Sequence, residues 1–160
     1  MPPRQRGQGR PRDPSGPDGG RQFPWAVIYY RAPDQTVPAL EFLDGCPGTI
    51  DAQFTAVLDA VAAPPPRFSG GGKWEAMHGK MGGWYEIRLT GPGREQFRLF
   101  CLLENGTGDE LARRGLPRPA IAVITGMRKS WRTVFSERDY QRVQELGREH
   151  QRNHPRRIAI

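Results

Sequence analysis

The chain has 160 residues and a formal charge of +7, from 24 Lys and Arg against 17 Asp and Glu, with only 36% apolar residues. That length fits one domain with appendages, and the positive balance favours a polyanionic partner, nucleic acid or an acidic protein ahead of a membrane surface. The cysteines, Cys46 and Cys101, form no cluster with histidine at zinc-ligand spacing, and no stretch approaches a transmembrane length, so the expectation is a cytoplasmic protein with no metal or other cofactor.

Residues 1–22 are rich in Pro, Gly, Arg and Asp and lack periodicity, which predicts a disordered basic tail. Arg4, Arg6, Arg10, Arg12 and Arg21 there either add loose attraction to RNA or belong to an inert extension, or to a start site set too far upstream. The folded domain is expected over 23–153, with a basic end at 154–160.

Trp25–Tyr30 is aromatic and β-branched and reads as a first strand. Pro38–Asp44 reads as a short helix, started by Pro38 and stopped by Gly45. Ile50, Phe54, Val57, Leu58 and Val61 recur at helical spacing, predicting a second helix capped by Thr49 and ended by Pro64-Pro65-Pro66. Ser69-Gly70-Gly71-Gly72-Lys73 lacks the spacing of a phosphate-binding loop and reads as a connector. In Trp84–Leu89, Tyr85, Ile87 and Leu89 face one way and Glu86 and Arg88 the other. After a turn at 90–96, Phe97–Glu104 is the returning strand, and a long polar loop is expected over 105–119. Ala120–Thr125 reads as a central strand ending at Gly126–Ser130. Ser136-Glu137-Arg138-Asp139 has the form of a capping box and opens a last helix carrying Tyr140, Val143 and Leu146, on or after which His150 and His154 look incidental. A strand, two helices, three antiparallel strands and a helix make an α+β fold rather than a doubly wound sheet.

The alternation gathers charge on one sheet face. Glu86 and Arg88 share it, the hairpin can bring Arg98 near them, and Arg128 and Lys129 leave the end of the next strand. With Lys73, His78 and Lys80 these make a basic surface of the kind a phosphodiester requires, since arginine forks bind phosphate oxygens and stabilise a pentacoordinate transition state. RNA supplies its own nucleophile, the 2′-OH, so the protein needs only a base, an acid and charge stabilisation. Glu86 or His78 can be the base, and Trp84, Tyr85, Trp131 and Phe135 can stack a nucleobase. Each also has a plain structural role open to it: a solvated strand face for Glu86 and Arg88, an ion pair for Arg98, a surface histidine for His78, and core for one of Trp84 and Tyr85.

The run from Lys73 through Gly82-Gly83-Trp84-Tyr85-Glu86-Ile87-Arg88-Leu89 resembles the "K-x-L…GLYELR" segment of RelE/HigB-like toxins, with HigB of the phage-derived type. Phe97-Arg98-Leu99-Phe100 is similar to the strand that follows in that family, Ile124–Ser130 to its basic turn, and Ser136–Leu146 to its closing helix. The similarity covers roughly Trp25 to Gly147, carried by the order and spacing of the motifs. The resemblance implies a microbial-RNase-type fold with an N-terminal strand, two helices, a curved antiparallel sheet and a C-terminal helix. It also implies cleavage of mRNA on the ribosome, and a cognate antitoxin, often a helix-turn-helix protein. By position, the family's basic residues fall on Arg88, Arg98 and Lys129, with Arg128 adjacent. Two departures leave the acid and base open. RelE proteins carry lysine where Glu86 stands, although HigB-like members often carry glutamate, and the tyrosine near the chain end of RelE falls on Phe135, with Tyr140 nearby. A non-catalytic homologue that binds RNA or an antitoxin-like partner is the alternative.

Overall fold

The computed structural model describes residues 25–63 and 72–160. The N-terminal tail, the Pro64–Pro66 helix stop and Ser69–Gly71 of the glycine-rich connector lie outside the described residues.

Alternating apolar residues put a mixed sheet at the centre, with a helical layer against each face. Strands β1 (Ala26–Tyr30), β2 (Trp74–Ala76), β3 (Trp84–Thr90), β4 (Gln96–Glu104), β5 (Ala120–Lys129) and β6 (Ile158–Ala159) lie in the order β2-β3-β4-β5-β1-β6. Strands β2 to β5 are antiparallel neighbours, whereas β1 runs parallel to β5. The fold is α+β as expected, but the sheet has six strands rather than one strand and an antiparallel three-stranded unit. The short strands β2 and β6 were not foreseen, since two or three residues give no readable period.

Helices α1 (Pro38–Asp44) and α2 (Gly48–Ala62) cover one face, where Ile50, Phe54, Leu58 and Val61 pack with Ile87, Leu89, Phe97, Leu99, Cys101, Ile121 and Val123. Pro38 occupies the first turn of α1 and Gly45 follows its last residue. Thr49 does not cap α2: the helix already begins at Gly48, with Pro47 at the cap and no side chain bonded there. Helix α4 (Glu137–Arg152) lies on the other face. It begins at the expected capping box, with the Asp139 N–H donating to Ser136 Oγ at 3.1 Å and the Ser136 N–H to Asp139 Oδ2 at 2.8 Å. Val143, Leu146 and Tyr140 pack there with Trp84, Phe100, Leu102, Ala122 and Ile124. Gly147 lets α4 approach the sheet closely, because a Cβ at that position would collide with the Trp84 ring.

The 105–119 segment is not a plain loop. Thr107 and Glu110 form a second capping box, and α3 (Gly108–Arg113) follows, with Leu111 and Leu116 in the core. One apolar residue per turn in a run of glycines and charges is too weak a signal to read in advance. The chain end is also built in. Arg156 Nε donates to Glu104 Oε1 at 2.8 Å, Arg114 Nη1 to Oε2 at 3.0 Å, and His150 Nε2 shares Oε1 at 2.8 Å. His150 is therefore no incidental surface residue but is 0% exposed, with Tyr30 edge-on to its ring. Burial alone would push the Glu104 carboxyl upward; the hydrogen bonds from His150 and Arg156 and the Arg156 charge outweigh it and hold it at about 2.

Candidate nucleic-acid interface

Helix α4 does not cover the whole of its sheet face. Followed from Gly147 back toward its start, its partners on the sheet are Trp84 and Leu102, then Phe100, which meets the Tyr140 ring edge-on at 6.1 Å. Beyond the first turn of α4 the same strands continue with Glu86, Arg88, Arg98 and Gln96. The apolar alternation turns polar where the helix no longer shields it.

The register brings the charges together. Arg88 lies directly opposite Arg98, Glu86 opposite Phe100 and Glu75 opposite Glu86. Like charges facing each other across a ladder destabilise a sheet. Arg88 is balanced by Glu75 at 3.0 Å and Glu86 at 3.7 Å. Arg98 is buried and donates only to Gln96 Oε1 at 2.9 Å and to the Phe97 carbonyl at 3.1 Å, and among the described residues no carboxylate pairs with it. Its guanidinium sits 5.4 Å from the centre of the Phe135 ring. Burial and the neighbouring Arg88 lower the Arg98 pKa, against the pull of Glu86. A buried cation without a carboxylate partner, beside a second cation, is a place where an anion is stabilising.

Glu86 and Tyr140 complete the cluster. Burial raises the Glu86 carboxyl above its ordinary range, and Arg98 and Arg88 offset this only in part. Burial also raises the Tyr140 phenol, as does the Glu86 charge, so it stays protonated and able to donate at neutral pH. On the next strand Met127 pairs with Arg98 and Lys129 with Gln96. Lys129 lies 3.3 Å from Asp139, which ties it to the start of α4.

Two concavities flank the cluster. One, of about 450 Å³, is lined by Arg88, Thr90, Arg94, Gln96, Arg98 and Trp131. Trp131 is 47% exposed, with the guanidinium carbons of Arg94 and Arg132 at 4.7 and 4.3 Å from its ring centre. Both arginines have positive φ, +60° and +68°, a strained backbone for a long side chain. The other, of about 710 Å³, is lined by Met77, His78, Lys80, Met81, Glu137, Tyr140, Gln141 and Gln144. Tyr140 belongs to this groove, and its ring also lies 6.5 Å from that of Phe135, which the Arg98 guanidinium overlies.

The structure thus brings Glu86, Arg88 and Arg98 into one cluster, with Lys129 and Trp131 at its border. His78 and Lys80 lie in the larger groove, where Lys80 is paired with Glu137. Lys73 is exposed at the sheet edge, its carbonyl accepting from the Arg88 N–H at 2.9 Å. Three expected residues stand apart. Trp84 is core, pressed against Gly147, and offers no ring for stacking. Arg128 lies on the α1 face, its guanidinium bonded to Glu95 at 2.6 and 3.0 Å and to the Gly45 carbonyl at 2.9 Å, over the Phe97 ring. Tyr85 also faces away, stacked on Trp74 at 5.0 Å. Arg94, Gln96 and Thr90 were not singled out from the sequence; Gln96 stands two residues before Arg98 and so shares its face, which is a readable signal.

Among the described residues, no group of three His, Cys, Asp or Glu side chains is gathered to hold a metal ion, and no helix is long and apolar enough to cross a membrane. Compared with protein-family models, curated proteins and solved structures, the chain matches none.

Proposed function

We propose that this chain is an endoribonuclease of the RelE/HigB kind, a toxin that cuts mRNA on the ribosome without a metal and is held in check by a helix-turn-helix antitoxin. The observation that carries the reading is the facing pair Arg88 and Arg98, with a half-buried Glu86 of raised pKa and the Tyr140 phenol beside them. Each member of that group has a use in 2′-OH attack on a phosphodiester. Glu86 takes the proton from the 2′-OH, and its raised pKa makes it a stronger base than an ordinary carboxylate. Arg88 and Arg98 receive the phosphate and the extra negative charge of the pentacoordinate state. Tyr140, whose ring lies 6.5 Å from that of Phe135, donates to the departing 5′-oxygen. The products are a 2′,3′-cyclic phosphate and a free 5′-OH.

The order of a strand, two helices, an antiparallel sheet and a closing helix supports the family reading, as does the position of the cluster on the sheet face beside α4. The expected N-terminal strand, β1, joins parallel to β5, and only the short β2 and β6, at the two edges of the sheet, are additional.

The test is tightly controlled induction in a bacterial host, followed within minutes by mapping of mRNA 5′ ends. New ends inside translated codons, missing when Arg98→Ala and Lys129→Ala are combined, are the expected result. Growth arrest without new ends refutes cleavage and points to another target. Folded protein that binds RNA, leaves it whole and arrests nothing fits a binding-only homologue.

A further inference from the structure

The larger groove shares no lining residue with the smaller concavity and has Tyr140 in its wall. Its floor is apolar, from buried Met81 and half-buried Met77 and Tyr140. Its polar groups are the Gln141 and Gln144 amides, the His78 imidazole and the exposed Lys80–Glu137 ion pair. Gln144 Nε2 donates to the Lys80 carbonyl at 2.7 Å, and among the described residues nothing donates to its own carbonyl oxygen. Neither the Gln141 amide nor the His78 ring is bonded to another described residue. A flat ring with donors and acceptors along its edge matches this lining: the thioethers and the phenol ring take its faces and the amides take its edge. The volume, about 710 Å³, leaves room for a nucleobase and its ribose.

We propose that this groove reads the nucleobase next to the phosphate held on Arg88 and Arg98, with Gln141 and His78 as the base-edge contacts. The proposal rests on the RNA-directed reading of the cluster. Continuity through Tyr140 carries it: its side chain lines the groove and its ring lies 6.5 Å from that of Phe135, over which the Arg98 guanidinium sits at 5.4 Å, so a strand whose phosphate sits on Arg88 and Arg98 enters the groove with its adjoining base. In the smaller concavity, Trp131 with Arg94 offers a stacking surface that any base can use, because every base has a π face. The two flanks differ in kind: the Trp131 side grips without discrimination and the groove discriminates. A protein helix suits the groove less well, since its apolar floor consists of two methionines and one tyrosine and its rim is the exposed Lys80–Glu137 ion pair.

The test uses fluorescein-labelled hexamers of A, C, G and U with 2′-O-methyl ribose, which blocks the nucleophile and so separates binding from cutting. Anisotropy with the wild-type chain should rank the four. In Gln141→Ala with His78→Ala the ranking should collapse by roughly 10–100-fold, the worth of two base-edge hydrogen bonds. Trp131→Ala should weaken all four in parallel. Thermal midpoints check that each variant is folded. A ranking that survives the double variant, or no binding to any hexamer, overturns the subsite. So does a double variant whose lost binding is to a co-purifying protein instead of RNA. Unmodified message on ribosomes is scored separately. Groove-dependent ranking with uncut message keeps the subsite and removes the nuclease; cutting with a ranking indifferent to the groove does the reverse.

Discussion

Replacing Glu104 with glutamine tests how the chain end is locked onto the sheet. The carboxylate is 3% exposed and accepts from His150, Arg156 and Arg114, while Arg156 is itself buried at its side chain. Its pKa falls from an ordinary 4.5 to about 2. At about 1.4 kcal/mol per pKa unit, this contributes about 3 kcal/mol of folding stability at neutral pH. Because the folded pKa lies below the unfolded one, that stability is fully present above pH 4.5 and is lost as pH falls toward 2, most of it by about pH 2.5. Glu104→Gln leaves two arginines facing a neutral amide, and the expected cost at pH 7 is about 3–5 kcal/mol. Urea unfolding of both proteins between pH 7 and pH 2.5 should show that difference narrowing by roughly 2–3 kcal/mol as the wild-type carboxylate takes up its proton. A gap that stays constant across the range refutes the argument, since the cost would then come from packing and not from the charge.

Alanine at Arg98 should lower cleavage by about 10²–10³-fold at unchanged thermal midpoint within a few degrees, the loss typical of a group that stabilises transition-state charge; single-turnover cutting of ribosome-bound message measures it. Arg88→Gln removes one of the charges that hold the Glu86 pKa down, so the acid limb of the pH–rate profile should move to higher pH, and an unmoved limb would exclude Glu86 as the base. Gly147→Ala gains helix propensity but drives a methyl into the Trp84 ring, and a net loss of about 1–3 kcal/mol is expected by thermal unfolding.

Local features were legible in the sequence. The capping box at Ser136 fixed where α4 starts, because it is satisfied within four residues. Alternation in Trp84–Leu89 put Glu86 and Arg88 on the face opposite Ile87 and Leu89, because the pleat has a period of two. The pairing of His150 was not legible. Its position seven residues after Val143 puts it on the buried face of α4, but its partners, Glu104 and Tyr30, lie on two distant strands that no local pattern reveals. The groove at His78 and Gln141 likewise joins a turn before β3 to the first turns of α4, a distance that no sequence pattern spans.

The division is sharpest at Arg128 and Lys129. The sequence by itself determined that two adjacent cations end the strand and that only one of them can face Arg98, since neighbours on a strand point to opposite sides. Which one does so was decided by the tertiary structure. The pairing of β4 with β5 shifts between Phe100 and Cys101, so that Cys101 faces Val123 while Phe100 faces Thr125. The extra residue reverses the parity of β5: Ile121 and Val123 face α2 before it, and Gly126 and Arg128 face α1 after it. Without that bulge Arg128 would stand over the cluster and Lys129 would face the helices. A bulge depends on how two strands twist and pack against each other, and neither strand alone encodes it.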